Sequence, residues 1–198
     1  MRINIGAVVG LAVMSALLEW TPAQEKAKPT QEESIAAIEK LGGKFSNGGK
    51  QLTLHRTKIT DAGLVHLKGL TGLEELVLKG TGVTDAGLVH LAGLTGLERL
   101  SLEDTGITDA GLIHLKGLTG LEMLFLSSTK VTDAGLVHLG ALTDLGLLFL
   151  YKTKVTDAGL VHLEALTRLK KLNLSGTEVT DAGVAKLKKA LPRCRIYH

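Results

Sequence analysis

The sequence predicts an α/β solenoid, in which a curved parallel inner sheet is backed by short outer helices and closed by a cap at each end. Two observations carry this prediction. The word TDAGL begins at Thr60 and recurs every 24 residues as far as Thr156, and TDAGV closes the series at Thr180. Each unit also holds the apolar pattern L-x-x-L-x-L, as at Leu73, Leu76 and Leu78. Such a unit cannot bury its own apolar faces, so identical units must stack on one another.

The N-terminal segment differs from the repeats and resembles a targeting signal. Arg2 precedes a run of 14 uncharged, mostly apolar residues, 5–18, and Ala23 offers a cleavage position. Because a membrane span needs about 20 residues, this run fits a secretory signal peptide better. We therefore predict a signal peptide over 1–23 and an exported protein (periplasm, cell surface or secreted), with an uncleaved N-terminal anchor as the alternative. The polar residues 24–31 are predicted to form a linker.

Residues 32–49 are predicted to cap the N-terminal end of the stack. Thr30 and Glu33 have the spacing of a capping box at a helix start. Apolar residues follow at i, i+3 and i+6, which indicates one buried helix face. Asn47-Gly48 then gives a turn signal between two short strand-like pieces. A cap is needed because a stack of repeats leaves an apolar end open.

Residues 50–186 are predicted to hold six units, and 187–198 a C-terminal cap. In a typical unit, Thr84 or Asp85 caps the helix. The apolar positions are predicted to face the core, as in the second unit: Leu76, Leu78, Val83, Leu88, Leu91 and Leu94. Leu191, Cys194 and Ile196 repeat the apolar spacing once more, with Cys194 as a small buried hydrophobe. Since Cys194 is the only cysteine, an intramolecular disulfide and a cysteine-based metal site are both excluded.

The pattern L-x-x-L-x-L and its fixed period resemble the leucine-rich repeat, over roughly residues 50–196. The chain is most similar to bacterial leucine-rich-repeat proteins of the TDAGL type, distantly related to ribonuclease-inhibitor-like and F-box-associated repeats. Threonine stands at the usual Asn/Cys position, and its hydroxyl can still bind the loop backbone: Thr57, Thr81, Thr105, Thr129, Thr153 and Thr177. The resemblance implies an interaction module without a fixed ligand.

Two periodic columns carry titratable groups. The aspartates are interpreted as helix caps, because one carboxylate per unit is too few for calcium: Asp61, Asp85, Asp109, Asp133, Asp157 and Asp181. The histidines are interpreted as a partly exposed packing column on the convex side, with metal binding or pH sensing as the alternative: His66, His90, His114, His138 and His162.

Nothing in the sequence predicts catalysis or a cofactor. Ser, His and Asp occur on different faces, and no G-x-S-x-G, P-loop, G-x-G-x-x-G or H-E-x-x-H motif is present. The net charge of +3 does not favour nucleic acid. The C-terminal basic run is interpreted as a solvated cap face rather than a site for anionic lipid: Lys186, Lys188, Lys189, Arg193 and Arg195. No membrane contact is predicted beyond the uncleaved-anchor alternative.

Candidate binding residues are those that vary from unit to unit on the strand face. An apolar cluster falls in two adjacent units: Met123, Phe125, Leu147, Phe149 and Tyr151. A charged surround comes from other units: Glu75, Lys79, Arg99, Glu103, Asp104, Lys152 and Lys171. Aromatic anchors within a charged rim are typical of protein-binding surfaces. The sequence thus predicts a non-catalytic protein- or peptide-binding module. A carbohydrate or envelope-polymer binder and, more remotely, a ubiquitin-ligase-type adaptor are the alternatives.

Overall fold

A computed structural model describes residues 29–198, so the predicted signal peptide and most of the predicted linker lie outside the described residues. One eight-stranded sheet runs along the molecule in sequence order. Its strands are β1 (Lys44–Ser46), β2 (Gln51–Thr53), β3 (Glu75–Val77), β4 (Arg99–Ser101), β5 (Met123–Phe125), β6 (Leu147–Phe149), β7 (Lys171–Asn173) and β8 (Arg195–Tyr197). Strands β2 to β8 pair in parallel with a constant offset of 24 residues. The predicted α/β solenoid is confirmed.

The N-terminal cap consists of a helix and a hairpin. Helix α1 (Gln31–Lys40) begins at the predicted capping box. The Glu33 N–H donates to the Thr30 hydroxyl at 3.2 Å, and the Thr30 N–H donates to the Glu33 carboxylate at 2.8 Å. Strand β1 then pairs antiparallel to β2 across the Asn47–Gly49 turn. The hairpin therefore adds one antiparallel strand to the open edge of the first parallel strand.

Short helices return the chain between strands on the convex side. They are α2 (Asp61–Leu64), α3 (Asp85–Leu88), α4 (Asp109–Leu112) and α5 (Asp133–Leu136), and the fifth unit has a 3₁₀ helix at Gly159–Leu163. The last unit has a longer helix, α6 (Asp181–Ala190), so the boundary predicted at 186 falls within this helix. No helix among residues 29–198 is long and apolar enough to cross a membrane.

The core is a continuous leucine ladder between sheet and helices. The middle residue of each repeat strand is fully buried, and so are the leucines of the helices, as Leu124 and Leu112 illustrate. At 24 residues per unit each leucine stacks on its counterpart in the next unit, which buries apolar area along the whole solenoid.

The threonines that replace the usual Asn/Cys close the turn after each strand. Each of the six hydroxyls donates to the carbonyl three residues earlier, as from Thr105 to Leu102 and from Thr129 to Leu126 (2.6 Å). The prediction that a hydroxyl can bind the loop backbone here is confirmed, and a buried polar group is thereby satisfied.

The aspartates do not cap their own helices as predicted. Asp109 is the first residue of α4 and its carboxylate accepts two hydrogen bonds from the next unit, from the Thr132 N–H (2.7 Å) and the Thr132 hydroxyl (2.7 Å). The same pair of bonds occurs at each of the five junctions between the six units, beginning with Asp61 and Thr84. Of the two residues predicted as possible caps, the aspartate was the wrong one, because its partner lies 23 residues away in a different unit. Threonine, not aspartate, occupies the N-cap.

The glycine of each TDAGL word allows this close approach. A Cβ at Gly87 would lie 2.5 Å from the Asp61 carboxylate oxygen and 2.9 Å from a Leu64 methyl group. Gly63 belongs to the first unit, where a Cβ would instead meet Ile59 and Leu41 of the cap. Close approach between stacked units is therefore seen from Gly87 onward and not at Gly63.

The C-terminal cap ends the stack with a strand rather than with a loop. Ile196 takes the inward position of β8, and Cys194 is 5% exposed beside it. Burial raises the pKa of the Cys194 thiol to about 11, so the thiol stays protonated at neutral pH. The Asp181 carboxylate differs from the other five aspartates, because it lies 2.6 Å from His198 Nε2.

Candidate functional site

The concave face of the sheet presents two residues from each strand, on either side of the buried leucine. Because the register is constant, these residues form straight columns across the strands. One column comprises Gln51, Glu75, Arg99, Met123, Leu147, Lys171 and Arg195. The second comprises Thr53, Val77, Ser101, Phe125, Phe149, Asn173 and Tyr197. The predicted alternation of strand residues therefore places every candidate residue of these strands on one face.

The predicted residues Met123, Phe125, Leu147, Phe149 and Tyr151 are here called the concave cluster. The first four occupy adjacent register positions on β5 and β6, and Tyr151 follows β6 by two residues. The rings of Phe125 and Phe149 stack with their centroids 5.0 Å apart and their planes 29° apart. Four of the five side chains are half-buried, and Tyr151 is the most exposed at 37%. Stacking on the neighbouring strand gives each phenylalanine a fixed position, which suits a rigid anchor for a partner.

Two lysines lie over the aromatic rings at the C-terminal end of this face. The Lys171 ammonium is 5.1 Å from the centroid of Phe149 and 5.3 Å from that of Tyr197. Lys152 lies over Tyr151 at 5.1 Å. These are cation–π distances. Tyr197 was not among the predicted site residues, although continuing the strand alternation through Arg195 and Ile196 would have placed it on the concave face.

At the N-terminal end of the same face, the charged residues pair with one another. Arg99 contacts Glu75 at 3.3 Å and also donates from Nε to the Met123 sulfur at 3.2 Å. Lys79 lies 3.5 Å from Glu103 and 4.0 Å from Asp104. These predicted surround residues therefore form a band of mutual ion pairs beside the concave cluster.

The histidine column lies on the convex side, and all five imidazoles are partly exposed, as the packing interpretation predicts. His90 Nδ1 and His138 Nδ1 are buried without a hydrogen-bond partner. Burial lowers the pKa of His90, with a further lowering from Lys68 and an opposing contribution from Asp61. Within residues 29–198, no three His, Cys, Asp or Glu side chains group closely enough to hold a metal ion.

A second exposed apolar feature lies on the convex side and was not predicted. It is one β-branched residue in each of the first five units, between 41% and 50% exposed, here called the convex apolar column: Val65, Val89, Ile113, Val137 and Val161. Each follows the TDAGL word directly, so its outward direction could have been inferred from the inward leucines on both sides of it. This column occurs in five of the six units, whereas the concave cluster occurs only in two.

Comparison with known proteins agrees with this geometry. Residues 165–188 match the family model of the leucine-rich repeat. Internalin C2 from Listeria monocytogenes superimposes with a TM-score of 0.57 at 24% identity, over 82% of this chain and 80% of that protein. The internalin inlF of the same organism gives a TM-score of 0.57 at 23% identity, over 85% of this chain. The chain spans about half of the length of inlF, with 49% covered. No curated protein sequence matches the chain significantly.

The chain therefore has the fold of leucine-rich-repeat proteins, and one of its units matches the family model of that repeat. Its solenoid, register and turn chemistry agree with the resemblance seen in the sequence, and the structural neighbours share this fold. A fold of this class presents a concave sheet to solvent and supplies a surface for partners, while the side chains on that surface determine which partner is bound.

Proposed function

We propose that this protein is a non-catalytic module that binds a protein or peptide through the concave cluster. The observation that carries the proposal is the stacked pair Phe125 and Phe149. The same column holds threonine, valine, serine and asparagine in other units, so the fold does not require an aromatic residue there. Preformed aromatic anchors surrounded by charged side chains are typical of the energetic centre of a protein interface.

The packing of Phe149 favours a peptide over a sugar ring. Its neighbours are the Phe125 ring from β5 and the Lys171 ammonium from β7, which approach from strands on opposite sides of β6. Stacking on a sugar needs a free ring face, whereas a peptide side chain can pack against ring edges and the adjacent Met123 and Leu147.

A capture experiment tests the proposal. The full chain bearing Phe125→Ser and Phe149→Ser should lose its partner from a lysate or culture supernatant of the source cells, while its thermal unfolding stays cooperative. The matched control, Val89→Ser with Val137→Ser, changes two equally exposed apolar residues on the convex side and should capture the same partner. Retained capture by the concave variant, with loss in the convex variant, would reject the proposal.

We further propose that the protein acts outside the cytoplasm. The support is the sequence of residues 1–23, with its basic start, short apolar run and Ala23. The N-terminal sequence of protein recovered from fractionated cells tests this: export predicts a mature chain that begins near Gln24, outside the cytoplasm. An intact Met1 terminus in the cytoplasmic fraction would contradict it.

A further inference from the structure

The concave face is divided into two regions with opposite charge. We define the strand window of a unit as the residue before its strand together with the six that follow. In the windows 50–56, 74–80, 98–104 and 122–128, six carboxylates stand against four cations: Glu74, Glu75, Glu98, Glu103, Asp104 and Glu122 against Lys50, Arg56, Lys79 and Arg99. In the windows 146–152, 170–176 and 194–198, four cations occur and no carboxylate: Lys152, Lys170, Lys171 and Arg195. The concave cluster lies at the boundary between the two regions.

The two regions also differ in pairing. Glu75, Glu103 and Asp104 contact Arg99 or Lys79, as described above. By contrast, no carboxylate among residues 29–198 lies within salt-bridge distance of Lys152, Lys170, Lys171 or Arg195. Here the four residues Lys152, Lys170, Lys171 and Arg195 are called the basic quartet. Cation–π contacts with Tyr151, Phe149 and Tyr197 orient two of these ammonium groups but leave their charge uncompensated.

Lys171 and Arg195 are adjacent in register, on neighbouring parallel strands, and Tyr197 lies in the next column of the same strand. Strands are about 4.8 Å apart, so the distance from Phe125 to Tyr197 across three strand spacings is about 14 Å. An extended peptide of about four or five residues covers that distance. A carboxylate side chain of such a peptide can reach both Lys171 and Arg195 while a neighbouring apolar side chain packs on the Phe125–Phe149 pair.

We propose that the partner of the concave face is an acidic peptide segment, in which Asp or Glu side chains bind the basic quartet and apolar side chains bind the concave cluster. The inference rests on the proposed function and adds the chemistry of its ligand. Opposite charge increases the rate of encounter and selects against basic partners. The carboxylate-rich region at the N-terminal end of the face repels an acidic peptide, and this fixes the end of the arc on which the peptide lies.

Selection from a displayed library of random linear peptides on the full chain tests this inference. Peptides that bind should be enriched in Asp and Glu next to aromatic or aliphatic residues. For a selected peptide, Lys171→Gln with Arg195→Gln should weaken binding by about tenfold, and replacing its Glu by Gln should do the same. The control Lys68→Gln with Lys116→Gln removes the same charge from the convex side and should leave the affinity within about twofold.

Three other outcomes have distinct meanings. Selected peptides that lack acidic residues, but lose binding on Phe125→Ser with Phe149→Ser, would overturn the acidic ligand and leave the proposed function standing. Failure to select any peptide, or equal binding to that double variant, would overturn both. Binding of the polysaccharide heparin that depends on Lys171 and Arg195, without any selected peptide, would assign the basic quartet to an anionic sugar and overturn the inference.

Discussion

Two regions of the solenoid are built from the same 24-residue unit but differ in what their side chains contact. The loop face is formed by the turns that carry the Asp–Thr bonds, and the strand face is the concave face of the sheet. On the loop face, the Asp109 carboxylate is bonded to Thr132 of the next unit, and Gly135 gives that carboxylate room. On the strand face, Phe125 stacks on its counterpart Phe149, and the equivalent residue in other units is small or polar. Repetition therefore marks residues that join the units, while variation marks residues that are free to face a partner.

The largest expected loss of stability comes from a substitution in the core, and the next residue of the same strand provides the comparison. Leu124→Ala should lower the free energy of unfolding by about 2–5 kcal/mol, because Leu124 is fully buried in the central unit. Phe125→Ala should lower it by less, about 1–2 kcal/mol, because the half-buried ring loses only part of the burial of a core residue together with its stacking on Phe149. Chemical denaturation checks both values. Similar losses for the two variants would remove the distinction between core and surface on this strand.

A smaller loss is expected on the loop face from Gly111→Ala. The new Cβ would press on the Asp85 carboxylate and lie 3.1 Å from a Leu88 methyl group, so we expect a loss of about 2–3 kcal/mol. Gly117→Ala is the matched control, because nothing lies within 4 Å of a Cβ at that position. Equal stability of the two alanine variants in urea unfolding would show that the unit interface is loose at Gly111.

The bond between units is tested by Asp109→Ala. Removing the carboxylate leaves the Thr132 N–H without its partner, which should cost about 1–2 kcal/mol. Asp144→Ala removes the same charge from an exposed ion pair with Arg168 and should cost less than about 1 kcal/mol. The thermal midpoints of the two variants give the comparison. A larger effect at Asp144 would contradict the role assigned to the aspartate column.

The smallest effect concerns pH. The pKa of His90 is lowered by burial in the folded chain, so its contribution to stability is complete above the ordinary value of 6.5 and is lost as the pH falls below it. When the pH is lowered from about 7 to about 5, the free energy of unfolding, measured by chemical denaturation, should therefore fall less in His90→Gln than in the wild-type chain. A steeper loss in the variant than in the wild-type chain would show that protonation of His90 stabilises the fold.

The sequence predicted the parts of the fold that depend on positions within one unit. The period and the leucine spacing were enough for the sheet, its register and the buried residues, and Thr30 with Glu33 marked the first helix. The aspartate contacts were not predicted, because Asp109 and Thr132 are neighbours only after the units stack. A carboxylate at a helix start is equally compatible with capping its own helix, so spacing alone could not separate the two roles.

The sequence predicted the apolar residues at the centre of the candidate site but not Tyr197 at its C-terminal end. Phe125, Phe149 and Tyr151 stood out because they interrupt a repeated pattern. The position of Lys171 between Phe149 and Tyr197 depends on the rotamer of a long side chain, which the period does not show. Tyr197 itself could have been placed by continuing the repeat pattern into the C-terminal cap. The convex apolar column was missed because residues that repeat were assigned to packing.

The central claim is that the partner meets the concave face, and site-specific photocrosslinking in the source cells tests it most directly. A photoreactive phenylalanine analogue replaces Tyr151 in one variant and Val137 in another, which are the exposed positions of the concave cluster and the convex apolar column. The account predicts a crosslinked protein or peptide from position 151 that mass spectrometry identifies, and none of the same mass from position 137. A product formed at 137 and absent at 151 would contradict it.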